Sequence, residues 1–233
     1  MKVAGTVATK PATGVDAGTA VLVEEEPGDQ WVSRGAHKLL GALDAFGVDP
    51  AGRRCLDAGA STGGFTDVLL HRGAAHVVAV DVGYGLIAWK LRTDERVTVV
   101  ERVNARNLEL EQVGEPASLV VADLSFIPLG LVLPALVACT TPDADLLPMV
   151  KPQFEVGKEN LPSGGVVRDP QARAGAVRRV AAQAGELGLG VVGVVASPLP
   201  GPSGNVEYFL HLRRGAPPLE DEDLLRAVQD GPQ

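Results

Sequence analysis

The chain has 233 residues, 45% of them hydrophobic, with two cysteines and a formal net charge of −8. That is enough to bury one sizeable core plus a small appendage, and Cys55 and Cys139 suit reduced core positions better than a bridge or a metal pair. No apolar run reaches membrane-span length and the start MKVAGTVATK lacks a signal-peptide core, so a soluble, cytoplasmic protein is expected. The acidic charge argues only weakly against a nucleic-acid partner. Setting aside two basic and five acidic residues in 1–30, and one basic and five acidic in 216–233, leaves 18 basic and 19 acidic residues in 31–215. A local basic face and an ordinary solvated surface both fit that balance.

In chain order, residues 1–30 alternate small and β-branched side chains around turns. They predict one or two hairpin strands, too short to form a core of their own. From Cys55 to about Leu212, short β-branched runs alternate with helical patterns. The predicted strands are RCLDAG, HVVAVDV (76–82), VTVVERV (97–103), SLVVADLS (118–125), LLPMVKP (146–152), VVGVVAS (191–197) and NVEYFLHL (205–212). Runs that are apolar at both alternating positions suit strands buried on both faces, hence a mostly parallel sheet between helices. Asp169 and Pro170 open the clearest helix, as N-cap and first residue. The last strand, after the turn Pro-Gly-Pro-Ser-Gly, predicts an antiparallel hairpin closing the sheet edge. The Pro-rich, acidic stretch beyond Gly215 predicts a disordered or loosely helical tail. The expected fold class is α/β, doubly wound, divided into 1–30, 31–215 and 216–233.

The stretch LDAGASTGGFTD (56–67) strips away side chains where a strand ends and a helix begins. Gly59, Gly63 and Gly64, with the small Ala60, Ser61 and Thr62 between them, would let backbone N–H groups face a bound polar ligand. Asp81 ends the next strand, where an acidic side chain commonly accepts hydrogen bonds from ribose hydroxyls. The spacing is not that of a dinucleotide loop, and Asp57 would sit badly beside a pyrophosphate. A carboxylate there suits a positive amine and sulfonium, which points to S-adenosyl-L-methionine. A tight turn with no ligand is the competing reading.

Three further stretches are WVSRGAHKL (31–39), VADLSFIPL (121–129) and MVKPQFEVGK (149–158). With LDAGASTGGFTD, VVAVDVGYG and GNVEYFL, they closely resemble the TlyA (hemolysin A) family of ribosomal RNA ribose 2′-O-methyltransferases, themselves similar to FtsJ-type enzymes. The resemblance covers about residues 31–214. It implies a Rossmann-like methyltransferase fold with a seven-stranded sheet, S-adenosyl-L-methionine as cofactor, and cytidine riboses of 16S and 23S ribosomal RNA as substrate. The family's Lys-Asp-Lys-Glu tetrad falls on Lys38, Asp123, Lys151 and Glu207. A ribose hydroxyl is a poor nucleophile and must lose its proton as it attacks; an amine can take that proton once partial burial and a second ammonium favour its neutral form. Lys151 is assigned as general base, Lys38 as the group positioning the hydroxyl, and Asp123 and Glu207 as the carboxylates that orient the amines. The methionine end of the cofactor is expected over Gly59–Gly64, its ribose at Asp81, its adenine near Asn104, with Asp123 beside it.

Each tetrad member has a blander alternative: a solvated helix lysine for Lys38, a helix cap for Asp123, a solvent-facing position on an edge strand for Glu207. Arg34, Lys90, Arg92, Lys158, Arg168 and Arg173 flank the motifs and could line an RNA backbone. Trp31 is expected to pack the N-terminal arm rather than stack a base. His71 and His76 lack metal-ligand spacing, and no metal is expected. Family members begin with a small RNA-binding domain, of which VAGTVATKPATGVDAGTAVLVEE resembles only the final hairpin. A shortened chain is therefore expected, with cofactor binding retained and RNA binding weaker and strongly salt-dependent. A monomer or weak homo-oligomer without membrane contact is expected. A non-catalytic ribosome-assembly factor, a cytolytic protein and a nicotinamide-dependent oxidoreductase are the other readings.

Overall fold

A computed structural model describes residues 31–232 and, before them, residues 2–3, 6–7, 15, 18–19 and 21–22. The chain divides into two units, Met1–Gln30 and Trp31–Gln233. In the first, β1 (Lys2–Val3), β2 (Thr6–Val7) and β3 (Val21–Leu22) form an antiparallel sheet in the order β2-β1-β3. The Lys-Pro-Ala turn expected in this arm lies outside the described residues.

The second unit opens with α1 (Gly35–Phe46), β4 (Arg54–Ala58), α2 (Gly64–His71), β5 (His76–Asp81), the short α3 (Trp89–Arg92) and β6 (Val97–Glu101). It continues through α4 (Leu110–Val113), β7 (Ala117–Ala122), α5 (Leu133–Ala138), β8 (Thr140–Val150) and α6 (Pro152–Glu155). It ends with α7 (Pro170–Glu186), β9 (Leu189–Ala196), β10 (Tyr208–Arg214) and α8 (Asp221–Asp230). The seven strands β4 to β10 correspond to the seven predicted runs and form one sheet, ordered β6-β5-β4-β7-β8-β10-β9. Pairings are parallel except for those of β10, which runs antiparallel to both β8 and β9.

The sheet separates two cores, which is why its strands are largely apolar on both faces. Leu56, Val78, Val120, Leu146 and Leu210 point into one core, with α5, α7 and α8. Cys55, Val77, Leu119, Leu147 and Phe209 point into the other, with α1 and α2. Asp169 caps α7, its side chain accepting a hydrogen bond from the Gln171 amide at 3.0 Å, with Pro170 at the first turn as the sequence predicts.

The expected antiparallel hairpin β9–β10 closes one edge of the sheet, with β9 outermost and β10 inside it. Beyond Gly215 the helical expectation holds over the disordered one, but the helix is packed rather than loose: Leu224, Ala227 and Val228 of α8 join the core. Their i, i+3, i+4 spacing makes one apolar helix face, while Asp221, Glu222 and Asp223 occupy the first turn, where the helix dipole favours negative charge. The connecting segment lies along the outer edge of β9, where the Val191 amide donates to the Pro217 carbonyl at 2.7 Å. Gly190 is required there, since a Cβ would lie 1.9 Å from the Ala216 carbonyl oxygen.

Candidate active site

Sheet order reverses at β4, which lies between β5 and β7. Open α/β sheets bind ligands at the carboxyl ends of strands flanking such a reversal. There the chain leaves β4 through Gly59, whose φ of +89° and lack of a Cβ bring it against the Asp123 carbonyl; an added Cβ would lie 2.5 Å from that oxygen. Gly63, at φ +98°, starts α2, and at Gly64 a Cβ would meet the Ser33 hydroxyl at 2.2 Å. The side-chain-free loop is thus a geometric necessity of the turn as well as an open cradle. Asp81 pins it from the next strand: Oδ2 accepts from the Ser61 amide at 2.8 Å and Oδ1 from the Gly83 amide at 2.6 Å. Ser61 is held at φ +49°, a strained value for a residue with a side chain.

Asp57 is fully buried at the end of β4. Its Oδ2 accepts from the Thr66 hydroxyl at 2.7 Å, whereas its Oδ1 is buried without a hydrogen-bond partner. Burial above all, with the charges of Asp123 and Asp81 adding to it, raises the carboxyl to about 7 against the opposing bond from Thr66. An orphaned buried carboxylate oxygen beneath a bare loop is the kind of group a cationic ligand would satisfy.

The tetrad forms two ion pairs. Lys38 Nζ, on α1, lies 2.5 Å from Glu207 Oε2, and Lys151 Nζ, at the end of β8, lies 2.5 Å from Asp123 Oδ1. Lys151 also donates to the Ser125 hydroxyl at 2.9 Å. Lys38 and Lys151 are each 8% exposed and Glu207 is 0% exposed, so the solvated-lysine and edge-strand alternatives for Lys38 and Glu207 do not hold. Asp123 is spent on Lys151 rather than on capping a helix.

Three connected compartments run across this edge. One of about 310 Å³ is lined by Asp81, Asn104, Leu124 and Ile127. The middle one, about 340 Å³, is lined by the Gly59–Thr62 loop, Gly64, Lys38, Asp123 and Lys151. The third, about 760 Å³, is lined by Lys151, Phe126, Phe154, Asn205 and Glu207. Asp123 borders the first two and Lys151 the last two. The Asn104 carboxamide oxygen caps the Arg106 amide at 3.0 Å.

The flanking basic residues have different fates. Arg34 lines the middle compartment, Lys158 the third, and Arg168 is exposed. Lys90 pairs with Asp67 at 3.1 Å and Arg92 with Glu101. Arg173 is a correction: it is 8% exposed and its Nε donates to the Val167 carbonyl at 2.9 Å, so its guanidinium faces inward from α7. Trp31 packs edge-on against His71 of α2 with ring centroids 4.8 Å apart; its expected packing on the N-terminal arm falls outside the described residues. Phe126 carries no signal in the sequence pattern, yet it is 89% exposed at the third compartment, held at φ +63°, with its ring 5.1 Å from that of Phe154. Among the described residues no helix is long and apolar enough to cross a membrane.

Comparisons with known proteins agree with the fold. The model of the FtsJ-like methyltransferase family matches residues 31–214. The 16S/23S rRNA (cytidine-2′-O)-methyltransferase TlyA of Mycobacterium tuberculosis is 61% identical over 238 residues, covering 100% of this chain and 88% of that protein. A solved hemolysin-named protein from Lactococcus lactis is 40% identical with a TM-score of 0.81, over 85% of this chain and 97% of that one. The N-methyltransferase NodS from Bradyrhizobium japonicum, at 16% identity and a TM-score of 0.53 over 78% of this chain and 96% of that one, shares the fold alone. With its large sheet matched from end to end and a TlyA protein so similar over its whole length, the chain belongs to the FtsJ-like methyltransferase family, in its TlyA branch.

Proposed function

We propose that this chain methylates the 2′-hydroxyl of cytidine riboses in 16S and 23S ribosomal RNA, using S-adenosyl-L-methionine. The observation that carries the reading is the position of Lys151, which borders both the glycine-loop compartment and the broad aromatic one. A group there touches both a methyl donor lying over Gly59–Gly64 and a nucleoside entering beside Phe126. When bound, S-adenosyl-L-methionine supplies an electrophilic sulfonium methyl.

The remaining work falls to the chain's own groups. Asp57 offers its unpartnered Oδ1 to the positive end of the cofactor. Asp81 offers the second lone pair of each carboxylate oxygen to ribose hydroxyls, and Asn104 lines the far end of that compartment. Lys151 Nζ, once it has given up its own proton, accepts that of the 2′-hydroxyl, while Asp123 and Ser125 hold that nitrogen in place. Lys38, fixed by Glu207, positions the hydroxyl oxygen. Alignment of the hydroxyl with the methyl group supplies most of the acceleration. The exposed Phe126 face offers a stacking surface for a base drawn out of its helix. Arg34, Lys158 and Arg168 supply positive charge along the approach, and the chain acts in the cytoplasm as a monomer or weak homo-oligomer on ribosomal subunits.

The test is methyl transfer from labelled S-adenosyl-L-methionine to purified ribosomal subunits, with the modified positions mapped. Lys151→Ala should lower transfer by about 10²–10⁴-fold, the usual contribution of a positioned base, with cofactor affinity retained. Transfer undiminished in Lys151→Ala would remove the base assignment, and no transfer by the native chain would remove the enzymatic reading.

A further inference from the structure

We propose that Asn205 is a positioning residue for the transfer, tying together the two loops that wall the nucleoside compartment and setting the Glu207 carboxylate between them. The inference rests on the methyltransferase reading above. The wall is made by residues 157–168 and 198–205, which contain no strand and only one short 3₁₀ turn. Gly157, Gly164, Gly165 and Gly204 all have φ between +72° and +91°. Backbone of this kind has no ladder to satisfy its polar groups, so its shape depends on side chains that reach in.

Asn205 does so from a site only 2% exposed. Its Oδ1 accepts from the Val167 amide at 2.9 Å and its Nδ2 donates to the Gly165 carbonyl at 2.9 Å. Its own carbonyl accepts from the Gly201 amide at 2.9 Å. One side chain and its peptide thus join segments 38 and 40 residues apart in sequence. Only a carboxamide fits: one partner can only donate and the other can only accept, which also fixes its orientation. On the far side, Arg173 holds the Val167 carbonyl, so both main-chain groups of Val167 are fixed.

The tie reaches the tetrad through Gly201. A Cβ at Gly201 would stand 2.6 Å from Glu207 Oε1, so this segment abuts the carboxylate that holds Lys38. Asn205 precedes Glu207 by two residues, and the Glu207 carbonyl is fixed by the Ser197 amide at 2.8 Å. Losing the Asn205 bonds would loosen the wall and the Lys38 anchor together while leaving the glycine loop, across the cavity, intact.

The experiment compares native protein with Asn205→Asp, which keeps the bond from Val167 but sets an acceptor against the Gly165 carbonyl. Cofactor affinity is measured by calorimetry, KM and kcat with ribosomal subunits, and amide exchange across 157–168. Expected are an unchanged cofactor Kd, a KM raised and a kcat lowered by about tenfold each, the size of one buried hydrogen bond lost, and faster exchange in 157–168. Unchanged KM and kcat, or a cofactor Kd that weakens in step with them, would overturn the proposal. Should Asn205→Asp not fold, Gly201→Ala presses one methyl toward Glu207 Oε1; kcat should fall with cofactor Kd unchanged, and an unchanged kcat overturns the proposal. If the native chain transfers no methyl group, the methyltransferase reading falls separately, and exchange in 157–168 that is the same in both proteins would then refute the tie itself.

Discussion

Glu207→Ala separates the structural from the chemical role of the Lys38–Glu207 pair. The two side chains are only 10% and 1% exposed and 2.5 Å apart. Removing one partner of a buried ion pair strands the other charge and costs about 3–5 kcal/mol. The lower half of that range is expected, because Glu207 Oε1 has no hydrogen-bond partner and its desolvation penalty disappears with the side chain. In a chain of this size each kcal/mol corresponds to about 2–4 °C, so the melting temperature should fall by about 6–16 °C. Replacing both charges, as Lys38→Met with Glu207→Leu, removes the stranded ammonium, and such swaps are commonly neutral or stabilising. The double variant should therefore melt close to the native protein yet remain inactive in methyl transfer. The assay is thermal unfolding at fixed pH beside transfer to ribosomal subunits. If Glu207→Ala melts with the native protein, or the double variant is no more stable than the single, the pair is not desolvated as described and the reasoning fails.

Two carboxylates make opposite predictions for pH. Asp57, raised to about 7 chiefly by burial, has a folded value above its unfolded one. Its contribution to the stability of the cofactor-free protein is therefore full below about pH 4 and is lost as the pH rises through 7; a cationic ligand favours the ionised form, so the calorimetric Kd for S-adenosyl-L-methionine should tighten between pH 6 and 8. Asp57→Asn should flatten that profile, and a flat profile in the native protein would sink the assignment. Asp145 is the reverse: burial pushes its carboxyl up, but hydrogen bonds from His211 and Arg53 prevail and hold it well below the ordinary carboxylate range. Its contribution is present above its unfolded value of about 4 and is lost as pH falls toward the depressed folded one. Asp145→Asn should cost about 2–3 kcal/mol at pH 7, read from the urea midpoint, with the gap to the native protein narrowing below pH 4; a gap that widens in acid would contradict the assignment.

Much of the fold was legible because its strands are buried on both faces. Val77, Val78, Ala79 and Val80 are all at most 2% exposed, and such runs leave little ambiguity between strand and loop. The glycine loop was legible for a related reason, since the Asp123 carbonyl at Gly59, the Leu91 side chain at Gly63 and the Ser33 hydroxyl at Gly64 leave no room for a side chain. The tetrad was legible only through its resemblance to a family, because its pairs join residues 169 and 28 positions apart and no local pattern encodes that. Where the reading went astray, a local property was taken for a global one. Acidic residues and prolines beyond Gly215 concealed the spacing of Leu224, Ala227 and Val228. Arg173 looked like surface charge because no residue pattern announces that its guanidinium turns back onto the Val167 carbonyl six residues earlier. The order in which strands pair is likewise invisible to periodicity, so the interior place of β10 could not be foreseen.

That interior place bears on assembly. A strand inserted between two others cannot take its position until both flanks exist, and β10 is the last of these seven strands to be synthesised. The carboxylate that anchors Lys38 immediately precedes it. A nascent or partly folded chain can therefore shape its glycine loop early and still have no anchored Lys38. On the role proposed for Lys38, competence for transfer would arrive only with the closing of the sheet, after the glycine loop has taken its shape.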